Sequence, residues 1–280
     1  MNSNNVSTSK VSDSSSLDDI LSGSDIKASD IIDRVEYNEN MKYHEFEDTT
    51  HATHDYDESD DGSDEQEWFA EHSNYDELVA GMSDLERDDF RDWTRGHFMR
   101  GQQYRPFDDM STMDQRLTKT YDKYLDQSVT DEGITLSRRA TAELLGLNDA
   151  DIPTIDQLKR MKGKVVVSKG SMSTAAAKDG LVIASEDSEK PIEYKIHIPA
   201  GAKGAGMWLG DKKINGWGPR QREYMTNRDS VYVIGDSKTK KTKFIRDWWS
   251  GKTIKVPVQE VHLYYIGRLP HDYGEGYNFK

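Results

Sequence analysis

The chain has 280 residues, a mass of 32.0 kDa and a formal net charge of −14. It contains no cysteine, which excludes disulfides, a thiolate nucleophile and thiolate metal sites. No run approaches the roughly 20 apolar residues of a membrane-spanning helix, and the polar residues 1–16 lack the apolar centre of a signal peptide.

The charge is unevenly placed. Residues 1–70 carry 4 Lys/Arg against 19 Asp/Glu, a net of −15, which leaves +1 of the chain's −14 to residues 71–280. Residues 1–67, rich in Ser, Asp, Glu and Asn, read as a disordered acidic tail, because such a composition buries too little apolar surface to offset the entropy of ordering. A short amphipathic piece (Ile20, Leu21, Ile26, Ile31, Ile32, Val35) can turn helical on a partner, but a solubilising tail is the favoured reading. His44, Glu45, Glu47, His51 and His54 resemble a metal cluster only on paper, since they lie in this tail; no metal is expected.

From Trp68 the texture becomes that of a folded domain, residues 68–280. Ser83-x-x-Glu86 has the form of a capping box, and Leu85, Phe90 and Trp93 follow at helical spacing. Pro106 breaks the pattern before Met113, Leu117, Tyr121 and Tyr124 mark a second helix. A third is predicted over 153–161, capped by Thr154 with Gln157 and striped by Ile155, Leu158 and Met161. Beyond Lys164 the period becomes two, and strands are predicted at 164–167, 192–198, 230–234, 242–245 and 253–265. Helices followed by short strands give an α+β domain with a largely antiparallel sheet system. Lys238 to Lys243, a basic stretch, reads as a solvated hairpin turn.

Three short pieces carry chemistry. Arg138 ends the strand that starts at Gly133, where a guanidinium can fork onto a phosphate pair. Ser173 and Thr174 follow Gly170 and offer hydroxyls at a strand edge. Gln221 and Glu223 close a glycine-rich loop over 210–220 that carries Trp217, and on an extended segment both point to one face. Taken alone, each piece reads first as something plainer, Arg138 as a surface arginine and Ser173-Thr174 as a strand end.

Their order is more specific. Arg138, Ser173-Thr174 and Gln221-x-Glu223 resemble the Arg / Ser-Thr-Ser / (Gln or Glu)-x-Glu pattern of the ADP-ribosyltransferase exoenzyme family, including clostridial Rho-modifying exoenzymes and phage-encoded ADP-ribosyltransferases. Asp92-Trp93-Thr94-Arg95-Gly96-His97-Phe98 is similar to the family's early helix end. Residues 192–205 are similar to its strand followed by Pro-x-Gly-x-x-Gly-Ala, so the likeness spans roughly residues 75–268. The family's Tyr-Arg-Gly is here Ser137-Arg138-Arg139, and the second Ser of Ser-Thr-Ser is Ala175.

The resemblance implies the ADP-ribosylating toxin fold, with N-terminal helices packed on two short, mostly antiparallel sheets, and a catalytic domain over 68–280. It implies an NAD-dependent ADP-ribosyltransferase. In that frame Glu223 binds the nicotinamide ribose and stabilises its developing positive charge, and Ser173 holds Glu223. Arg138 grips the NAD diphosphate, the backbone of Arg139 meets the nicotinamide amide, and Thr174 belongs to the same cofactor site. Gln221 and Trp217 face a macromolecular acceptor on the toxin-turn loop. A neutral Gln221 argues against arginine and for an amide, or a nucleobase, with a host protein side chain preferred. The setting expected is a virion-packaged or injected protein acting in a host cytoplasm, or a secreted effector. The rival readings are a virion interaction protein that kept the fold, and an NAD glycohydrolase.

Overall fold

The computed structural model describes residues 21, 27, 31–47, 62–94, 106–148, 152–178, 192–215, 218–246 and 253–273, with backbone alone at 32, 220, 221, 241–246 and 253–257. Helices occupy Ile31–Asn40 (α1), Ser63–His72 (α2), Tyr75–Gly81 (α3), Asp84–Thr94 (α4), Thr112–Leu125 (α5) and Ile155–Lys159 (α6). Strands run His44–Glu45 (β1), Ile134–Ala140 (β2), Val165–Ser168 (β3), Met172–Ala175 (β4), Ile192–Ile198 (β5), Gly206–Trp208 (β6), Glu223–Thr226 (β7), Ser230–Arg246 (β8) and Thr253–Arg268 (β9).

Local chemistry sets the helix starts. Glu86 Oε2 accepts the Ser83 amide at 2.8 Å while the Glu86 amide donates to Ser83 Oγ, and the Gln157 amide donates to Thr154 Oγ1 at 3.2 Å. Phe90, Trp93, Tyr121 and Tyr124 form an aromatic seam between α4 and α5, with Trp93 and Tyr121 stacked at 3.8 Å. Leu85 and Met113, read as part of the same stripes, lie instead at the exposed first turns.

The strands pair in the order β3-β8-β9-β5-β2-β4-β7-β6, with β1 beside β2. The expected two sheets are thus one, but among the described residues only Ser137↔Ala175 joins β2 to β4. Pairing is antiparallel except for β1 with β2 and β5 with β9. Gly206 is needed at the β6–β7 edge, since a Cβ there would lie 2.3 Å from the Met225 carbonyl oxygen. Lys238 and Lys240 belong to strand β8 and are ion-paired to Glu260 and Glu193 at 2.7–3.0 Å, so they are not a solvated turn.

Residues 31–47 correct the expectation of a tail disordered through residue 67. Ile31 and Leu21 are buried with Val165, Val167, Val231, Val233, Ile266 and Leu269 on the back of the sheet. Asn38 Nδ2 donates to the Tyr265 carbonyl at 3.0 Å, Arg34 Nη1 donates to that of Ile266 at 2.8 Å, and Phe46 stacks on Phe69. Of the amphipathic piece, Leu21, Ile31 and Val35 pack on this chain's own sheet, while Ile20, Ile26 and the Ile32 side chain lie outside the described residues. His44 stacks on Trp68; His51 and His54 lie outside the described residues. Among the described residues no group of three or more His, Asp or Glu is arranged to hold a metal ion, and no helix is long and apolar enough to cross a membrane.

One face of β2, β5 and β9 carries a buried polar ladder. Thr135 Oγ1 lies 3.0 Å from His197 Nδ1, His197 Nε2 lies 2.8 Å from His262 Nδ1, and His262 Nε2 lies 3.1 Å from Glu260. Burial, aided by His262 and Lys195 and opposed by Glu260, lowers the His197 pKa from 6.5 to about 3. The folded state therefore binds fewer protons than the unfolded chain between those values, and stability falls as pH drops through 6.5 toward 3, by up to about 1.4 kcal/mol per pH unit for one proton. Denaturant unfolding of wild type between pH 7 and 4, beside His197→Gln, checks this. Equal slopes in the two proteins would refute the assignment to His197.

Candidate active site

The register places the predicted residues around the β2–β4–β7 junction. Ser173 lies opposite Met225, and Glu223 opposite Ala175, so Ser173 and Glu223 are diagonal neighbours on one face of the β4–β7 pair. Ser173 Oγ donates to Glu223 Oε1 at 2.6 Å. Arg138, on β2, donates from Nη1 to the Ser173 carbonyl. Its positive charge acts on Glu223 as well. Arg138, Ser173 and Glu223 therefore converge.

Glu223 is buried, with 9% of its surface exposed. Burial raises its pKa above 4.5, and the Ser173 hydroxyl, the Arg138 guanidinium and the Asn215 amide each pull it back. Asn215 is the residue that the sequence did not single out. It is fully buried within the glycine-rich loop and donates from Nδ2 to Glu223 Oε2 at 3.3 Å. Both carboxylate oxygens are thus held, and the carboxylate is fixed before any substrate arrives.

The other predicted residues fall differently. Thr174, one step along β4, faces the opposite side, where its hydroxyl donates to the Tyr224 carbonyl at 2.6 Å and supports strand pairing. The Arg139 side chain is buried beside Glu193, 4.0 Å from its carboxylate, on the side away from Arg138. Residues 138–140 of β2 pair with β5 through Tyr194, Glu193 and Ile192. Trp217 and the Gln221 side chain lie outside the described residues.

The segment before Glu223 is not extended. Gly218–Gln221 forms a 3₁₀ turn, and Arg222 adopts φ 45°, a left-handed conformation that costs a side-chain-bearing residue about 1–2 kcal/mol. The Arg222 amide donates to the Pro219 carbonyl at 2.8 Å, closing the turn. Gln221 and Glu223 are therefore not a simple i, i+2 pair on a strand.

Residues 67–258 match the ADP-ribosyltransferase exoenzyme family. The chain belongs to that family. Its fold is that of the ADP-ribosylating toxins, at low identity. Plx2a, an ADP-ribosyltransferase toxin from Paenibacillus larvae, superimposes with a TM-score of 0.51 at 16% identity, over 74% of this chain and 97% of that one. C3stau2 from S. aureus, solved with NAD, gives 0.53 at 15%, over 81% and 100%. The Clostridium limosum C3 exoenzyme gives 0.52 at 17%, over 80% and 98%. No curated protein sequence matches the chain. As a member of the exoenzyme family the protein is an NAD-dependent ADP-ribosyltransferase, and NAD is its substrate.

The geometry suits that chemistry. A bond from a fixed carboxylate that strengthens as positive charge develops on the ribose lowers the barrier without tightening ground-state binding. Holding Glu223 from both oxygens removes the reorganisation that a mobile carboxylate would need.

Proposed function

We propose that this ADP-ribosyltransferase modifies a macromolecule at an amide or a nucleobase, a host protein side chain ahead of a nucleic acid, and not arginine. The observation that carries the catalytic part is the Glu223 carboxylate, buried, held by Ser173 and Asn215 and faced by Arg138. In this reading Arg138 binds the NAD diphosphate, the backbone of Arg139 meets the nicotinamide amide, and Glu223 takes the ribose hydroxyl. The acceptor part rests on residue type. A second carboxylate at position 221 would orient or deprotonate a guanidinium; the neutral Gln221 pairs instead with an amide or a base edge. Trp217, in the same loop, supplies an aromatic surface for a macromolecule. The setting we favour is a host cytoplasm, reached by injection from a virion or by secretion.

The test uses NAD labelled in its adenylate, incubated with the full-length protein and host lysate, with protein and nucleic-acid fractions counted separately. Label should enter one macromolecular fraction, and mass spectrometry should place it on an amide or a base. Label recovered only as free ADP-ribose would mean a glycohydrolase, and modified arginine would overturn the role of Gln221. Gln221→Ala should cut transfer at least ~10-fold while nicotinamide release without acceptor stays within about twofold. Parallel loss of both rates would remove Gln221 from the acceptor side.

A further inference from the structure

Arg222 stands between the two residues assigned to acceptor and ribose, and none of the roles above uses it. Its side chain is buried, and its Nε lies 2.9 Å from Oε1 of Glu65, a residue of α2 that is equally buried. Its backbone is held on both sides, donating to Pro219 and accepting from the Ala176 amide at 2.9 Å. Next to Glu65, Gln66 Oε1 accepts from Trp208 Nε1 at 2.8 Å, and Phe69 of the same helix stacks on Trp208. Trp208 pairs with Tyr224, and the Leu209 amide donates to the Glu223 carbonyl at 2.9 Å. Helix α2 is therefore fastened to the chain on both sides of Glu223.

Folding stability alone gives little reason for such a pair. Taking two charges out of water cancels most of their attraction, and well-packed apolar side chains stabilise a core as well. Glu65 Oε2 has no hydrogen bond among the described residues, which weakens the stability argument further. What an ion pair does, and an apolar contact does not, is tie two particular groups to each other, here Arg222 Nε and Glu65 Oε1 at 2.9 Å. It does so here at a left-handed residue adjoining the carboxylate that must be aimed. An error of about 1 Å in such aim can cost on the order of 10²-fold in rate.

We propose that Arg222 and Glu65 are positioning residues for NAD cleavage: their buried ion pair holds the left-handed turn that directs Glu223 toward Ser173, and makes α2 part of the catalytic apparatus. This rests on the reading of Glu223 as the ribose-binding carboxylate.

The test compares Glu65→Gln, Arg222→Gln, the double variant and Arg222→Lys with wild type in the full chain, with Glu223→Gln as control. Nicotinamide release is measured below each variant's melting midpoint. Each Gln single variant should lose about tenfold in kcat with KM for NAD within about twofold, while the double variant and Arg222→Lys recover to within about threefold of wild type. Lower melting midpoints with wild-type kcat in the folded variants would mean a purely structural pair and would overturn the proposal. Should Arg222→Gln not fold, Glu65→Gln and Arg222→Lys carry the same comparison. Wild-type rates in Glu223→Gln would sink the carboxylate reading and this proposal with it, whereas a dead control beside unaffected pair variants would sink the proposal alone.

Discussion

Changing Glu223 to glutamine is expected to cut nicotinamide release about 10³-fold while leaving the protein at least as stable as wild type at pH 7. The rate follows from charge. The amide matches the carboxylate in size and can still accept from Ser173, but it cannot answer the positive charge that develops on the ribose. Three decades correspond to about 4 kcal/mol of transition-state stabilisation. The stability follows from burial, which raises the pKa of Glu223 above 4.5. Between 4.5 and the raised value the folded state binds more protons than the unfolded chain, so the contribution of Glu223 to stability falls as pH rises through that window. Ionisation of the buried group is a net cost, which glutamine removes, and Asn215 can turn its own carbonyl toward the new amide. Melting midpoints at pH 7, beside nicotinamide release by chromatography, check both halves. A midpoint several degrees below wild type would mean that the carboxylate is stabilised in place, contrary to the burial argument.

Much of this architecture was readable because its causes are local. Ser83 with Glu86 and Thr154 with Gln157 announce helix starts by donor and acceptor spacing alone, and both caps form. Period-two patterning marks β3, β5, β8 and β9, whereas β4, β6 and β7 are not among the strands it predicts. Glu223 opens β7, Ser173 is second in β4, and Arg138, expected to end its strand, lies two residues inside the end of β2. Thr174 is a different lesson. The same period of two says that only one of two neighbours on β4 can face the site, so the sequence already held the reason for excluding it. Asn215 gave no signal: a loop asparagine is common, and what distinguishes it is complete burial beneath Glu223. Nor did Arg222, because a left-handed conformation is announced by Gly or Asn and not by Arg, and its partner Glu65 is remote in sequence. The two expected sheets became one where Ser137 pairs with Ala175, which no periodicity records.

The N-terminal segment shows where averaging over composition fails, and it yields the second large effect. Removing residues 1–47 is expected to destabilise the protein by more than Phe46→Ala does alone, and Phe46→Ala should itself cost about 3–5 kcal/mol, a drop of roughly 10 °C in melting midpoint. Phe46 is buried against Trp68 and Phe69, so its loss leaves a cavity beside Phe69, which itself stacks on Trp208 and approaches Tyr224 of the strand that begins with Glu223. The longer deletion also strips Ile31 and Leu21 from the back of the sheet, each burial worth about 1.5–3 kcal/mol, and leaves the carbonyls of Tyr265 and Ile266 without their side-chain donors. Against a typical total of about 5–15 kcal/mol for a native domain, the sum is enough to unfold a large fraction of the molecules near 37 °C. The acidic stretch 1–70, net −15, looks dispensable when its charges are counted, yet a handful of apolar side chains decide whether any part of it folds. Denaturant titration of the two variants against wild type measures the difference. A truncated protein with an unchanged midpoint would mean that α1, β1 and Phe46 only rest on the sheet without stabilising it.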